Sequence, residues 1–188
     1  MMRINSNSQI GQDLFVLKHL ANKRNGIFVD IGAGHPIKIN NTYLLEKDYE
    51  WSGISLDYGH GKAYGCKKLS DDEYKKLWKS NRKIPLILCD ALSVDFNQLF
   101  KEHNLPNEID YLDLDIEPPK ATLECLFKIP FDKYKINIIT FEHDDYKDKT
   151  NKEPGRNFLL KLGYIYVQSN ATRQEDWYIL PEILNNLT

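Results

Sequence analysis

The chain is 188 residues long, 41% apolar and 28% charged, with a formal net charge of −2. One well-buried domain spanning residues 1–188 is expected, because this length is short for two domains of typical size. Acids and bases are interspersed without the clustered basic face that nucleic acid demands, and no apolar run approaches the roughly 18 residues of a membrane helix.

Residues 9–21 set Ile10, Leu14, Phe15, Val16, Leu17, Leu20 and Ala21 at helical spacing among polar Gln9, Gln12 and Asp13, predicting a helix that caps the sheet or closes over a cofactor. An apolar run from Ile27 to Ile31 then breaks into a loop holding Gly32, Ala33 and Gly34. A helix over about 40–49 is predicted, with Asn40 or Asn41 as N-cap and Tyr43, Leu44 and Tyr49 buried. A second strand at 53–57 ends in Asp57, 23 residues after Gly34. From 58 to 83 the pattern loosens through Gly59-His60-Gly61 into a Lys-rich helix led by Asp71-Asp72-Glu73 with Leu77 and Trp78, a region read as a cover over the substrate.

Ile84 to Cys89 reads as a third strand closed by Asp90-Ala91, with Leu99 and Phe100 on the helix after it. Strand four, Ile109 to Ile116, alternates so that Tyr111, Asp113, Asp115 and Glu117 point one way, with Asp110 outside the rule. Strand five, Ile136 to Phe141, runs into Glu142-His143-Asp144-Asp145. A helix over 152–162 leads to Gly163, and Tyr164–Val167 and Trp177–Leu180 read as closing strands that pair antiparallel. Alternating strands and helices predict an α/β, doubly wound sheet with helices on both faces. Lys23-Arg24, Lys67-Lys68 and Lys75-Lys76 read as solvated faces. The three cysteines, Cys66, Cys89 and Cys125, are too scattered for a disulfide framework or a zinc site, and with no apolar leader segment they suggest a cytoplasmic protein.

Strand, tight Gly turn, helix, strand and carboxylate is the grammar of a nucleoside site in a parallel sheet, with Asp57 placed for the ribose. A dinucleotide site continues Gly-x-Gly-x-x-Gly, whereas here the third position is Ile37 and the helix is delayed behind His35 and Pro36. Asp30, just before the loop, suits a ligand with a positive amino-acid end and would repel phosphates. These features favour S-adenosylmethionine. By position, Asp90-Ala91 falls where the adenine amino nitrogen is held, although an Asp at a helix start is also an ordinary N-cap. Gln12 and Asp113 complete the expected cofactor contacts.

The sequence also resembles the FkbM-like S-adenosylmethionine-dependent methyltransferases. The resemblance is carried by Ser8-Gln9-Ile10-Gly11-Gln12-Asp13, Phe28-Val29-Asp30-Ile31-Gly32-Ala33, Asn41-Thr42-Tyr43-Leu44-Leu45-Glu46, Tyr111-Leu112-Asp113-Leu114-Asp115-Ile116-Glu117, Ile139-Thr140-Phe141-Glu142-His143-Asp144 and Glu175-Asp176-Trp177-Tyr178. These blocks span most of the chain in the family's order. Two departures stand out: Pro118-Pro119 where the family often has Gly, and Asp57 where it often has Glu. The resemblance implies a Rossmann-like class I methyltransferase fold, with a mostly parallel seven-stranded sheet and one antiparallel strand near the C-terminus. It also implies O-methylation of a sugar hydroxyl in a glycan or other small acceptor.

Methyl transfer to oxygen needs the acceptor oriented and relieved of a proton. His143, flanked by Glu142 and Asp144, is one expected base, with Asp115 and Glu142 beside it as catalytic acids. Asp115, Glu142 and His143 are also similar to the positions by which catechol-type O-methyltransferases hold Mg²⁺ or Mn²⁺, a second route to lowering the acceptor's pKa. The competing readings are a nicotinamide-dependent oxidoreductase, which lacks its third glycine here, and a non-catalytic nucleoside-binding module of a glycan pathway.

Overall fold

The computed structural model describes residues 5–59 and 69–185. His60, Gly61, Cys66, Lys67 and Lys68, used in the sequence reading, lie outside the described residues. Seven strands form one sheet: β1 Ile27–Ile31, β2 Ser52–Asp57, β3 Leu86–Leu88, β4 Glu108–Leu114, β5 Lys135–Glu142, β6 Ile165–Val167 and β7 Glu175–Ile179. Their order is β3-β2-β1-β4-β5-β7-β6. β7 runs antiparallel to both of its neighbours, and the other pairs are parallel, as expected from the sequence. No helix among the described residues is long and apolar enough to cross a membrane.

Seven α-helices surround the sheet: α1 Gln12–His19, α2 Tyr43–Tyr49, α3 Asp71–Asn81, α4 Phe96–Glu102, α5 Pro119–Leu126, α6 Lys152–Lys161 and α7 Pro181–Asn185. Buried strands in a parallel sheet are apolar on both faces, and the pleat sorts them. Val29, Ile31, Leu112, Leu114, Ile139 and Phe141 pack with Phe96 and Phe100 of α4, Leu126 of α5 and Leu159 of α6. Phe28, Tyr111 and Ile138 pack on the opposite face with Val16 of α1, Leu45 of α2 and Trp78 of α3.

Helix α5 is absent from the sequence reading, where Pro118-Pro119 stands only as a departure from the family pattern. Proline is nevertheless well suited to a helix's first turn, where its missing N–H costs nothing, and Pro119 opens this helix. Neither asparagine N-caps α2. That position is Thr42, whereas Asn40 Nδ2 donates to the Ala33 carbonyl (2.9 Å) and Asn41 Nδ2 to Asp113 (2.8 Å). The described part of the expected cover is a built helix: Ser70 and Glu73 form a capping box, and Tyr74 and Trp78 are buried.

Asp110 breaks the alternation of β4 for a reason visible only in three dimensions. Its buried carboxylate accepts from the Ile27 N–H at 2.9 Å and from Lys23 Nζ at 2.7 and 2.9 Å, so it ties the entry of β1 to β4. Lys75 and Lys76 are exposed as expected, but Lys23 is engaged in this pair. Asp110→Ala removes the acceptor of a backbone donor and one partner of the pair. Loss of roughly 3 kcal/mol is expected, read as a lower midpoint in urea unfolding; an unchanged midpoint would contradict this role.

Candidate active site

Strands β1 and β4 are neighbours, but the chain leaves β1 for β2 on one side and β4 for β5 on the other. Their carboxyl ends therefore diverge into a crevice, where open α/β sheets take ligands. Gly32 turns the chain at φ 96°. A Cβ there would stand 1.8 Å from the Asp115 carbonyl oxygen, so the close approach of the β1 loop to the end of β4 requires glycine. Gly34, at φ 58°, donates its N–H to Asp57 Oδ2 at 2.9 Å, and the other Asp57 oxygen accepts from the Gly59 N–H at 2.9 Å. The Tyr74 hydroxyl donates to the Gly34 carbonyl.

The crevice has two compartments. A slot of about 250 Å³ runs between Leu56, Tyr58, Ala91, Leu92, Ile116 and Ala121. A chamber of about 410 Å³ is bounded by Gly32 to Gly34, Asp115, Glu117, Glu142 and Lys147. Gly32, Asp57 and Glu117 line both, so a half-buried carboxylate stands where an apolar slot opens into an acidic chamber. Burial pushes the Asp57 carboxyl up, against the two glycine amides that favour its charge.

In the chamber the carboxyl groups of Asp115 and Glu142 lie near enough to act on each other's charge. Neighbouring acids disfavour full charge on both, so this pair is biased toward holding a proton. Burial holds Asp115 well above the usual carboxylate range, and contact with Glu142 raises it further. Burial, with Asp144, Glu175 and Glu117 nearby, leaves Glu142 pushed up to about 7, and its Oε2 has no partner in the protein. Lys147 answers the outer acids, its ammonium contacting Glu117 and Asp144.

Of the residues expected from the sequence, Gly32, Ala33, Gly34, Asp57, Asp90, Ala91, Asp115 and Glu142 do line the crevice. Asp90 is there with its carboxylate engaged in capping the turn Ala91–Ser93, accepting from the Leu92 N–H (2.9 Å) and the Ser93 hydroxyl (3.0 Å). Four expected residues lie outside the lining of the crevice. Asp30 is buried beneath α2, where it accepts from the hydroxyls of Thr42 (2.8 Å) and Ser55 (3.0 Å). Asp113 is likewise interior, held by Asn41, Thr140 at 2.5 Å and Tyr111 at 3.1 Å. Gln12 joins α1 to β7 through Glu175 at 2.7 Å. All three are buried and hydrogen-bonded within the protein.

His143 is the fourth of these residues. Successive residues point to opposite faces of a strand, so when Glu142 faces the chamber the next side chain turns away. His143 is fully buried beside Phe141, its Nδ1 accepting from the Asp145 N–H at 3.2 Å and its Nε2 lying 3.4 Å from Asp176 Oδ1. Asp115, Glu142 and His143 therefore do not converge on a metal position. Among the described residues the ligand atoms that lie within 4.8 Å of one another belong to Glu117, Glu142 and Asp144, and Lys147 already neutralises two of them. The site does not fit the resident divalent ion considered from the sequence. Lining residues that the sequence reading passed over include Tyr146, Lys147 and Gln174, which lie in loops without a periodic signal.

No protein-family model and no curated protein matches the chain, so the FkbM-like resemblance rests on its motifs. Solved structures match its fold. The O-methyltransferase NovP aligns over 90% of this chain and 78% of its own at TM-score 0.61 and 10% identity. The human methyltransferase 10 domain containing protein aligns over 89% and 78% at TM-score 0.53 and 14% identity. The delta-N METTL16 MTase domain aligns over 89% and 78% at TM-score 0.51 and 14% identity. At such identities the likeness is one of fold, a Rossmann-like, mostly parallel seven-stranded sheet of the kind the sequence led us to expect.

The carboxyl pair has a measurable consequence without any ligand. Folded, Glu142 keeps its proton up to about pH 7; unfolded, it releases the proton near its ordinary value of 4.5. The folded state binds more protons between these values, so stability falls as pH rises through that window. After allowance for partial solvent screening, the pair is expected to cost the wild type on the order of 2 kcal/mol between pH 5 and 8. In urea unfolding across that range, Glu142→Gln should flatten the decline. Parallel profiles for wild type and variant would contradict the assignment.

Proposed function

We propose that this chain is an S-adenosylmethionine-dependent methyltransferase acting on a hydroxyl oxygen of a small-molecule acceptor, a sugar in a glycan or glycoconjugate. The observation that carries this reading is the two-part crevice, with Asp57 at the junction and the Asp115–Glu142 pair facing the second compartment. The apolar slot suits an adenine ring. Asp57, its carboxylate oriented by the Gly34 and Gly59 amides, suits the ribose hydroxyls. The acidic chamber favours a cationic ligand end and disfavours a pyrophosphate. Helix α2 begins only at Tyr43, so its N-terminus is not at the glycine loop where a dinucleotide's phosphates would need it. This supports the cofactor reading over a nicotinamide-dependent oxidoreductase.

When bound, S-adenosylmethionine supplies a methyl on a sulfonium, whose C–S bond breaks as the acceptor's O–C bond forms. Glu142 serves as the base that takes the hydroxyl proton. Its pKa near operating pH suits that task. Asp115 stands beside Glu142, its neutral form favoured by burial and by that neighbour. Gly32 lets the loop that would hold the cofactor come close to the end of β4. The acidic rim supports a small-molecule acceptor over a nucleic acid.

Glu142→Gln is expected to lower kcat roughly 100-fold or more while changing S-adenosylhomocysteine affinity by less than about threefold. Asp57→Ala is expected to weaken that affinity about tenfold or more. Calorimetry and methyl-transfer assays on both variants make the comparison. A protein that binds NAD and not S-adenosylhomocysteine, or equal effects of both variants on cofactor affinity, would overturn the assignment.

A further inference from the structure

Beyond the crevice lies an outer cavity of about 550 Å³, lined by Tyr146, Asn170, Ala171, Thr172, Arg173 and Gln174. It shares Tyr146 and Gln174 with the acidic chamber, so a molecule placing one end beside Glu142 extends naturally into it. The two spaces differ in charge. The chamber is lined by four acids, Asp57, Asp115, Glu117 and Glu142, against two lysines, Lys38 and Lys147, whereas the charged residue lining the outer cavity is Arg173.

Arg173 is unlike the other arginines among the described residues. Arg24 pairs with Glu50, Arg82 with Glu46 and Arg156 with Asp176, but Arg173 has no acidic partner. Its loop is nevertheless well anchored. Asn170 Nδ2 donates to the Ile10 carbonyl at 2.7 Å and Lys152 Nζ to the Thr172 carbonyl at 2.9 Å. The Gln174 carbonyl accepts from the N–H groups of His143 (2.8 Å) and Asp144 (2.9 Å). Tyr146, 46% exposed, offers an aromatic surface in the same cavity.

We infer that the acceptor is a ring compound bearing an anionic group, its ring against Tyr146 and its carboxylate or phosphate on Arg173, with the hydroxyl to be modified directed at Glu142. The inference rests on the methyltransferase reading above and names the acceptor class for that same site. The charge gradient sets the orientation. An anion in the chamber would be repelled by its acids, whereas a guanidinium fork matches carboxylate and phosphate oxygens. An aromatic face suits the apolar side of a sugar ring, and a neutral hydroxyl is what the chamber tolerates.

The test uses the whole protein saturated with S-adenosylhomocysteine and probes in matched pairs. Phenyl glucuronide is set against phenyl glucoside, methyl galacturonide against methyl galactoside, and glucose 6-phosphate against glucose. Binding is read by calorimetry and methyl transfer separately, with S-adenosylmethionine. At least one acidic member should bind more tightly than its neutral parent. Arg173→Ala should weaken that binding about five- to tenfold and Arg173→Lys should restore part of it. Acidic probes that bind through Arg173 without being methylated would uphold the anion site and sink the transferase reading. Methyl transfer that ignores the charge of the probe would do the reverse. Failure of every probe to bind, or equal loss of acidic and neutral probes in Arg173→Ala, overturns the inference.

Discussion

Two carboxyl side chains, Asp115 just after β4 and Glu142 at the end of β5, stand beside each other at the mouth of the sheet, where burial favours their neutral forms. Placing acids together in a partly dry site is unfavourable unless a proton, a cation or a developing positive charge compensates. Here the protein supplies one ammonium, Lys147, to the outer acids Glu117 and Asp144 and leaves the inner pair to hold its proton. The crevice is thereby prepared for a positively charged ligand end and for a group in need of a base.

The rest of the fold serves to hold that pair against the glycine loop. Parallel pairing sets β4 between β1 and β5 in fixed register, with Asp30 level with Asp113 and Asp113 level with Thr140. The backbone of Asp115 then meets Gly32, where a side chain would collide with its carbonyl. Below the crevice the remaining acids of this face are satisfied one by one: Asp30 by Thr42 and Ser55, Asp113 by Asn41 and Thr140, Glu175 by Gln12 and the Trp177 indole. These bonds fix α1 and α2 to the sheet and make the polar interior part of the scaffold.

Much of this was legible in the sequence. The apolar run into Gly32 and Gly34, followed at the right distance by Asp57, locates the crevice because a backbone turn and a strand-end carboxylate are local features. Asp115 and Glu142 were also found from strand ends alone. The strand acids Asp30 and Asp113, and Gln12 at the start of α1, lie outside the crevice because their partners Thr42, Asn41 and Glu175 are supplied from elsewhere in the chain. His143 lies outside it for a simpler reason: it sits one residue past a crevice-facing position, and the pleat sends it to the other side. Arg173 and Tyr146 carry no pattern of their own, and only the packing of their loops brings them beside the chamber.

The central claim is that the Asp115–Glu142 pair holds a proton that a cationic ligand displaces. Calorimetry of S-adenosylmethionine and of S-adenosylhomocysteine at pH 6.5, in buffers of differing ionisation enthalpy, counts the protons released by each. The sulfonium should expel a substantial fraction of one proton, and the neutral thioether distinctly less. Equal release by the two ligands, or none by either, would contradict it.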